Sequence, residues 1–319
     1  MPITKLLIAN RGEIAIRIAR SAAEMGIATV AVHSEDDGQS LHVRNADAAC
    51  PLRGTGASAY LDIDQIVGLA RDAGCDAIHP GYGFLSENAA FANACRLAGI
   101  TFVGPRPETL ALFGDKAQAR HFATQCEVPI IPGTSGPTSL NDARVFLEAL
   151  GPHGAVMVKA IAGGGGRGMR PVTGLDQLAS AYERCRSEAQ QSFGNGDVYV
   201  ERLFPRARHI EVQIIGDGTG AVAHLWEREC SIQRERQKIV EIAPAPFLRQ
   251  AVRDRLLQAA TTLAAAADYL SAGTFEFLAA CRTYGHRGFM LESQRRFAPS
   301  PDAADEQLPP HRPPDGLLD

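Results

Sequence analysis

Apolar residues over the first hundred positions keep two alternating rhythms. Short runs such as "KLLIA" (5–9), "IATVAVH" (27–33), "CDAIHP" (75–80) and "ITFVGP" (100–105) have the length of strands. The stretches between them repeat their apolar residues at helical spacing. In "GEIAIRIARSAAEMG" (12–26) Ile14, Ile18 and Ala22 share a face, and Gly26 suits the end of the helix. In "YLDIDQIVGLARDAG" (60–74) Ile63, Ile66, Leu69 and Ala70 do the same, and "SENAAFANACRLAG" (86–99) forms a third helical stretch. Strands alternating with helices of this length predict an α/β fold with a mostly parallel sheet, a Rossmann-like unit over residues 1–104.

The rhythm then changes. "PRPETLALFGDKAQARHFATQCEV" (105–128) reads as two helical pieces divided at Gly114-Asp115, with Asp115 placed to cap the second. "PIIPGTSGPTSL" (129–140) is a turn-rich connection. Strand "AVMVKA" (155–160), a glycine run, a helix near 175–191 and strand "DVYVERL" (197–203) make a small α/β unit. "RHIEVQIIGD" and "GAVAHLWEREC" flank Gly218-Thr219-Gly220 and predict an antiparallel hairpin. An alanine-rich helix over roughly 248–268 precedes a second strand pair, "AGTFEFLAA" and "RGFMLES". After Glu292 the apolar period stops, and the proline-rich residues 293–319 read as a disordered tail.

Composition changes little in this picture. Apolar residues make up 45% and charged residues 21%, ordinary for a globular chain, and the net charge is −4. No basic excess asks for nucleic acid, and no run approaches the length of a membrane-spanning helix. The start lacks a signal peptide's apolar core, so a cytoplasmic protein is expected. Seven cysteines at wide spacings, none in a CxxC pair, argue against a disulfide framework or a structural zinc site.

Candidate chemistry concentrates in the second half. "AIAGGGGRGMR" (160–170) follows a strand that ends in Lys159. It lacks the GxxxxGK[ST] of a phosphate loop, yet successive glycine N–H groups after a strand surround phosphate oxygens well, and Lys159 adds a point charge beside them. The alternative is a flexible surface hairpin. Lys116, in the first turn of a helix, has an equally plain reading as a solvated charge. Glu276 and Glu292 lie on two strands expected to pair, and paired strands bring two carboxylates to one magnesium ion, which demands hard oxygen ligands. A solvent-facing edge charge is the competing reading for Glu276.

The ordered segments "IANRGEIAIRI", "HPGYGFLSENAAFA", "FVGP", "GDKAQAR", "KAIAGGGGRGMR", "RHIEVQIIGD", "ERECSIQRERQK" and "AGTFEFL" resemble the biotin carboxylase family of ATP-grasp enzymes over residues 3–292. The resemblance implies a Rossmann-like N-terminal domain over 1–104 and a partial ATP-grasp domain over 105–292, whose residues 131–203 form a mobile lid over ATP. It implies that Lys116 and Lys159 contact ATP phosphates and that Gly163, Gly164, Gly165, Gly166 and Gly168 cover them. By the same carry-over Glu201 and Leu203 form the adenine hinge, and His209, Gln233 and Glu276 surround the nucleotide. Glu276 and Glu292 would hold Mg2+ or Mn2+, and Lys238 would meet bicarbonate. The implied reaction phosphorylates bicarbonate with ATP to carboxyphosphate, then carboxylates N1 of biotin. No lysine stands in a biotin-attachment setting, so biotin would be a free substrate or ride on a carrier protein. Biotin carboxyl carrier and carboxyltransferase subunits are the implied partners, and the family is often homodimeric.

Two departures qualify the resemblance. Arg236 stands where the family has histidine. Where the family reads ExNxRxQVEH, this chain reads "ESQRRFAPSP". Arg296 keeps the arginine and so remains a catalytic candidate, but Ser300 replaces the glutamate that serves as base, and serine does not replace it at neutral pH. The family's C-terminal subdomain and part of its dimer surface are expected to be missing. Two other functions stay open: another ATP-grasp ligase that forms an acylphosphate, and an ATP-binding remnant without catalysis.

Overall fold

The computed structural model describes residues 2–162, 168–234, 237–280 and, for the backbone, 289–292. Their contacts divide into two units, residues 2–86 with 94–103 and residues 87–93 with 104–292.

The first unit is the parallel sheet that the alternation predicted. Its strands are β1 (Lys5–Ile8), β2 (Ala28–His33), β3 (Ala48–Pro51), β4 (Ala77–His79) and β5 (Thr101–Phe102), in the order β3-β2-β1-β4-β5, all parallel. Helix α1 (Gly12–Glu24) buries Ile14, Ile18 and Ala22 against Leu6, Ile8 and Ala77, which is the face the sequence marked. The stretch at 57–72 is not one helix. A 3-10 turn (Ala57–Leu61) precedes α3 (Ile63–Asp72), because the Asp62 side chain accepts the Gln65 N–H and starts the helix there. Helix α2 (Leu41–Arg44) and strand β3 carry too few alternating apolar residues to be seen in the sequence, and α4 (Ala89–Leu97) matches the third helical stretch.

The second unit holds two antiparallel sheets. The smaller has order β7-β6-β8, from β6 (Val156–Ala160), β7 (Met169–Val172) and β8 (Val198–Arg202). Helices α7 (Leu140–Ala149) and α8 (Leu175–Phe193) close over it, burying Leu147, Leu178 and Tyr182 against Val156, Val158 and Val200. The larger has order β11-β10-β9-β12-β13, from β9 (Ala207–Asp217), β10 (Val222–Arg234), β11 (Gln237–Ile242), β12 (Leu270–Ala280) and β13 (Phe289–Glu292). The β9–β10 hairpin turns at Gly218 and Gly220, whose φ of +81° and +98° suit glycine alone. Helix α9 (Gln250–Ala266) buries Leu256, Ala260 and Leu263. Helices α5 (Pro107–Gly114) and α6 (Lys116–Gln125) are tied to β12 through Phe113, whose ring meets Phe275 edge-on at 5.3 Å and Phe122 at 5.8 Å. No helix among the described residues is long and apolar enough to cross a membrane.

Candidate functional site

Two groups of charged side chains stand out in the second unit. The first lies on the smaller sheet. Lys159 on β6 is paired in register with Tyr199 on β8, and Met157 with Glu201. Glu201 lies two residues beyond Tyr199 on the same face of β8, so it meets Lys159 diagonally in a buried ion pair, and the Tyr199 hydroxyl donates to Glu201 Oε2 at 3.4 Å. Lys116 reaches the same place from the first residue of α6. Asp115 caps that helix by accepting the N–H groups of Ala117 and Gln118, as its position in the sequence suggested. Lys116 Nζ then donates to the Ala160 carbonyl at 3.1 Å and lies 5.6 Å over the Tyr199 ring. The plain reading of Lys116 as a solvated charge does not describe it.

The glycine run begins where these lysines meet. Ala160 N–H donates to the Gly168 carbonyl at 2.7 Å, so the two ends of the loop are joined. Gly168 has φ +65° and is buried. Gly163, Gly164, Gly165 and Gly166 lie outside the described residues. A cavity of about 500 Å³ opens beside the start of the loop, lined by Glu87, Asp115, Lys116, Gln118, Ile161 and Ala162. Leu203, half-buried, donates its N–H to the Ala155 carbonyl at 2.8 Å, which fixes the strand end after Glu201. A concave place that presents the Lys116 ammonium where the glycine run begins suits an anionic group.

The second group is a rung of the larger sheet. Register sets Arg228 on β10 opposite Glu211 on β9, Glu211 opposite Glu276 on β12, and Glu276 opposite Glu292 on β13. Three glutamates side by side on neighbouring strands repel one another unless cations stand among them. Lys238, on the outer strand β11, supplies one. Its buried ammonium bonds Glu276 Oε1 at 2.7 Å and also pairs with Glu211. Arg228 supplies another, pairing with Glu211 and with Glu241. Burial opposes the charge on Lys238, but Glu276 and Glu211 beside it outweigh burial and raise its pKa above the usual lysine value. Glu276 alternates with Phe275 and Phe277 as its sequence suggested, but it is buried and not an edge charge.

The remaining residues marked in the sequence border this rung. His209 lies two residues before Glu211 on β9, so the two share a face, and its N–H donates to Ser231 Oγ at 2.8 Å. Gln233 is paired in register with Lys238 and donates to the Cys230 carbonyl at 2.8 Å. The opposite face of β10 is anchored separately. Arg253 of α9 donates to Glu227 at 2.7 Å, and Arg208 donates to Glu229 at 2.7 Å and to the Pro246 carbonyl at 2.6 Å. Arg236, Arg296 and the tail 293–319 lie outside the described residues.

Glu211, Arg228 and Glu241 were not singled out from the sequence. The available signal was weak: polar residues within apolar strands, "HIEVQII" and "WEREC", on a face that alternation would assign to solvent. For a metal ion, Glu211, Cys230 and Glu241 have donor atoms within 4.8 Å of one another. That set is a poor one for Mg2+, since burial pushes the Cys230 thiol up and keeps it protonated, and Arg228 already engages both carboxylates. Glu276 and Glu292, register partners on β12 and β13, both carry the oxygen donors that magnesium prefers.

Comparison with known proteins identifies the family and the fold. Residues 2–110 match the family model described as biotin carboxylase, N-terminal domain, and residues 115–300 that of the carbamoyl-phosphate synthase L chain, ATP binding domain. Pyruvate carboxylase of Aspergillus niger is 50% identical over 283 residues, which cover 87% of this chain and 24% of that protein. Pyruvate carboxylase of Bacillus subtilis is 50% identical over 282 residues, with the same shares covered. The chain thus spans about a quarter of the length of these relatives. Among solved structures, a biotin carboxylase–β,γ-ATP complex from Campylobacter jejuni has a TM-score of 0.87 at 41% identity, covering 92% of this chain and 66% of that one. The biotin carboxylase domain of Hydrogenobacter thermophilus 2-oxoglutarate carboxylase, in complex with MgADP, ADP and bicarbonate, has a TM-score of 0.84 at 40% identity, covering 93% and 65%.

Proposed function

The chain belongs to the biotin carboxylase family of ATP-grasp proteins, and from that premise we propose that its second unit binds magnesium-ATP and activates bicarbonate for the carboxylation of biotin. The observation that carries this reading is the charged rung, with Lys238 held against Glu276 beside the register partner Glu292. A triphosphate and a bicarbonate ion are both anions, and each needs a buried cation. Lys116 from helix α6 and Lys159 from the smaller sheet serve the phosphates, and Lys238 serves bicarbonate from the larger sheet. Glu201 and Leu203 hold the adenine at the end of β8, and the loop from Gly163 to Gly168 covers the phosphates.

Glu276 and Glu292 would hold magnesium, which when bound neutralises phosphate charge. A bicarbonate oxygen attacks the γ-phosphorus, ADP leaves, and carboxyphosphate forms. Its carboxyl group passes to N1 of biotin as phosphate departs with the N1 proton. The work of the protein in these steps is positioning and fixed charge rather than covalent chemistry. Biotin comes as a free substrate or on a carrier protein, and a carboxyltransferase consumes the carboxybiotin.

The segment 298–301 favours a second reading, nucleotide binding without carboxylation, because Ser300 stands where the family's base belongs. One experiment separates the two. Calorimetry with MgATP measures binding, and fixation of labelled bicarbonate onto free biotin measures carboxylation. Binding with fixation supports the first reading and binding without it the second. Absence of MgATP binding at millimolar nucleotide would defeat both.

A further inference from the structure

We propose that Lys238 is an internal counter-cation for Glu276, and that a divalent metal binds only by taking that carboxylate from it. The inference rests on the reading of Glu276 as a metal ligand and concerns what must happen for metal to arrive.

Glu211, Glu276 and Glu292 occupy successive strands at one register position. Two of them, Glu211 and Glu276, are buried, and Lys238 bonds both. A cation between two carboxylates in low dielectric does the same electrostatic work as a metal ion. The Lys238 ammonium therefore competes with metal for Glu276. It also has somewhere to go. Glu211 stays paired with Arg228 whether or not Lys238 leans on it, so the rung keeps a fixed cation at its other end. When Glu276 turns to metal, Lys238 gives up one of its two carboxylates. Its ammonium is then under-neutralised, buried, and next to the place where a small anion is to be held. The exchange couples the two substrates' sites: metal-nucleotide loading creates the positive charge that draws in bicarbonate. In the metal-free chain that charge is spent internally, and the anion site is weak.

The coupling has a sign that an ordinary structural role lacks. Removing Lys238 should tighten metal binding. Mn2+ binding to the nucleotide-free chain, followed by electron paramagnetic resonance, gives a direct reading. Lys238→Met should strengthen it roughly tenfold or more, since an uncompensated buried carboxylate is costly and the metal would relieve it. Lys238→Arg, which keeps a cation, should bind Mn2+ much as the native chain does. Glu276→Gln should abolish the site in every background. Should Lys238→Met fail to fold, the native chain still gives an answer. Saturating Mg2+ should raise the labelling of Lys238 by an amine-directed acylating reagent at fixed pH, read on its peptide by mass.

Mn2+ binding that weakens or stays unchanged in a folded Lys238→Met chain, while Glu276→Gln removes it, overturns the exchange and leaves the metal site standing. Labelling of Lys238 that ignores saturating Mg2+ overturns the exchange as well. Mn2+ binding untouched by Glu276→Gln overturns the metal assignment and the exchange together.

Discussion

Lys159 and Glu201 form a buried pair to which the proposed function gives two tasks, stability and binding. Each is buried, and each is the other's counter-charge. Lys159→Ala should weaken magnesium-ATP binding at least tenfold, about 1.4 kcal/mol by calorimetry. It should also destabilise the fold, since it leaves Glu201 buried without its cation, typically a cost of about 3–5 kcal/mol. Adding Glu201→Gln should recover most of that stability and none of the affinity. A double variant that regains nucleotide binding would show that Lys159 acts through Glu201 alone. A second residue sets a pH dependence. His79 accepts the Gly81 N–H through Nδ1 at 3.0 Å, and packing around its ring lowers its pKa to about 4. The unfolded chain binds this proton near the ordinary histidine value of ~6.5, so the contribution is complete above that pH and is lost as pH falls toward 4. His79→Asn keeps an acceptor for Gly81, and its denaturation midpoint should fall less steeply between pH 6.5 and 4 than the native one. Parallel curves would refute the assignment.

Among the elements, those that were legible carried a period or a cap. Helix α1 declared itself through Ile14, Ile18 and Ala22, and α6 through Asp115. Helix α7 also had a signal, Ser139 accepting the Asp142 N–H, but the prolines and glycines before it masked the start. Strand β11 had none, because Ile239, Val240 and Ile242 on this outer strand are exposed and do not alternate with polar residues. The site was legible to the same degree. Lys116, Lys159 and Glu276 sit in local motifs, whereas Glu211 and Arg228 matter only through register with strands far away in sequence, and no local pattern encodes that. An element-scale test follows from the cap. Asp115→Ala should cost about 1 kcal/mol of stability. It should also loosen the helix end that delivers Lys116 to the Ala160 carbonyl, so nucleotide affinity should drop with it. Gly133→Ala tests the neighbouring strand. A methyl group there would stand 2.7 Å from the Val200 carbonyl and 2.9 Å from Glu201 Cβ, and the backbone must move. Nucleotide binding should weaken even though no charge has changed, and an unaltered Kd would mean that β8 is not a fixed part of the site.

At the scale of the whole molecule the two units differ in what holds them. The first is a parallel sheet whose core is closed by local helices such as α1, with Ile8 and Ala77 packed on Ile14 and Ile18. The second buries ions as well as hydrocarbon: Lys159 with Glu201, Lys238 with Glu211 and Glu276, and Arg253 with Glu227. Buried pairs of this kind are weak sources of net stability, and under the proposed function those of Lys159 and Lys238 fix charge where a ligand would need it. The second unit should therefore gain most from ligand. At about 100 times Kd, magnesium-ADP adds ~2.7 kcal/mol to any opening that destroys its site. Amide exchange should slow by up to about a hundredfold in β6, β8, β9 and β12 and change little in β1, β2 and β3. Ion pairs rearranged by the nucleotide should show first in β11, where Lys238 must let go of Glu276. Equal slowing in both units would mean that they open as one cooperative body, and that the charged rung is stabilised by the parallel sheet as much as by its own counter-ions.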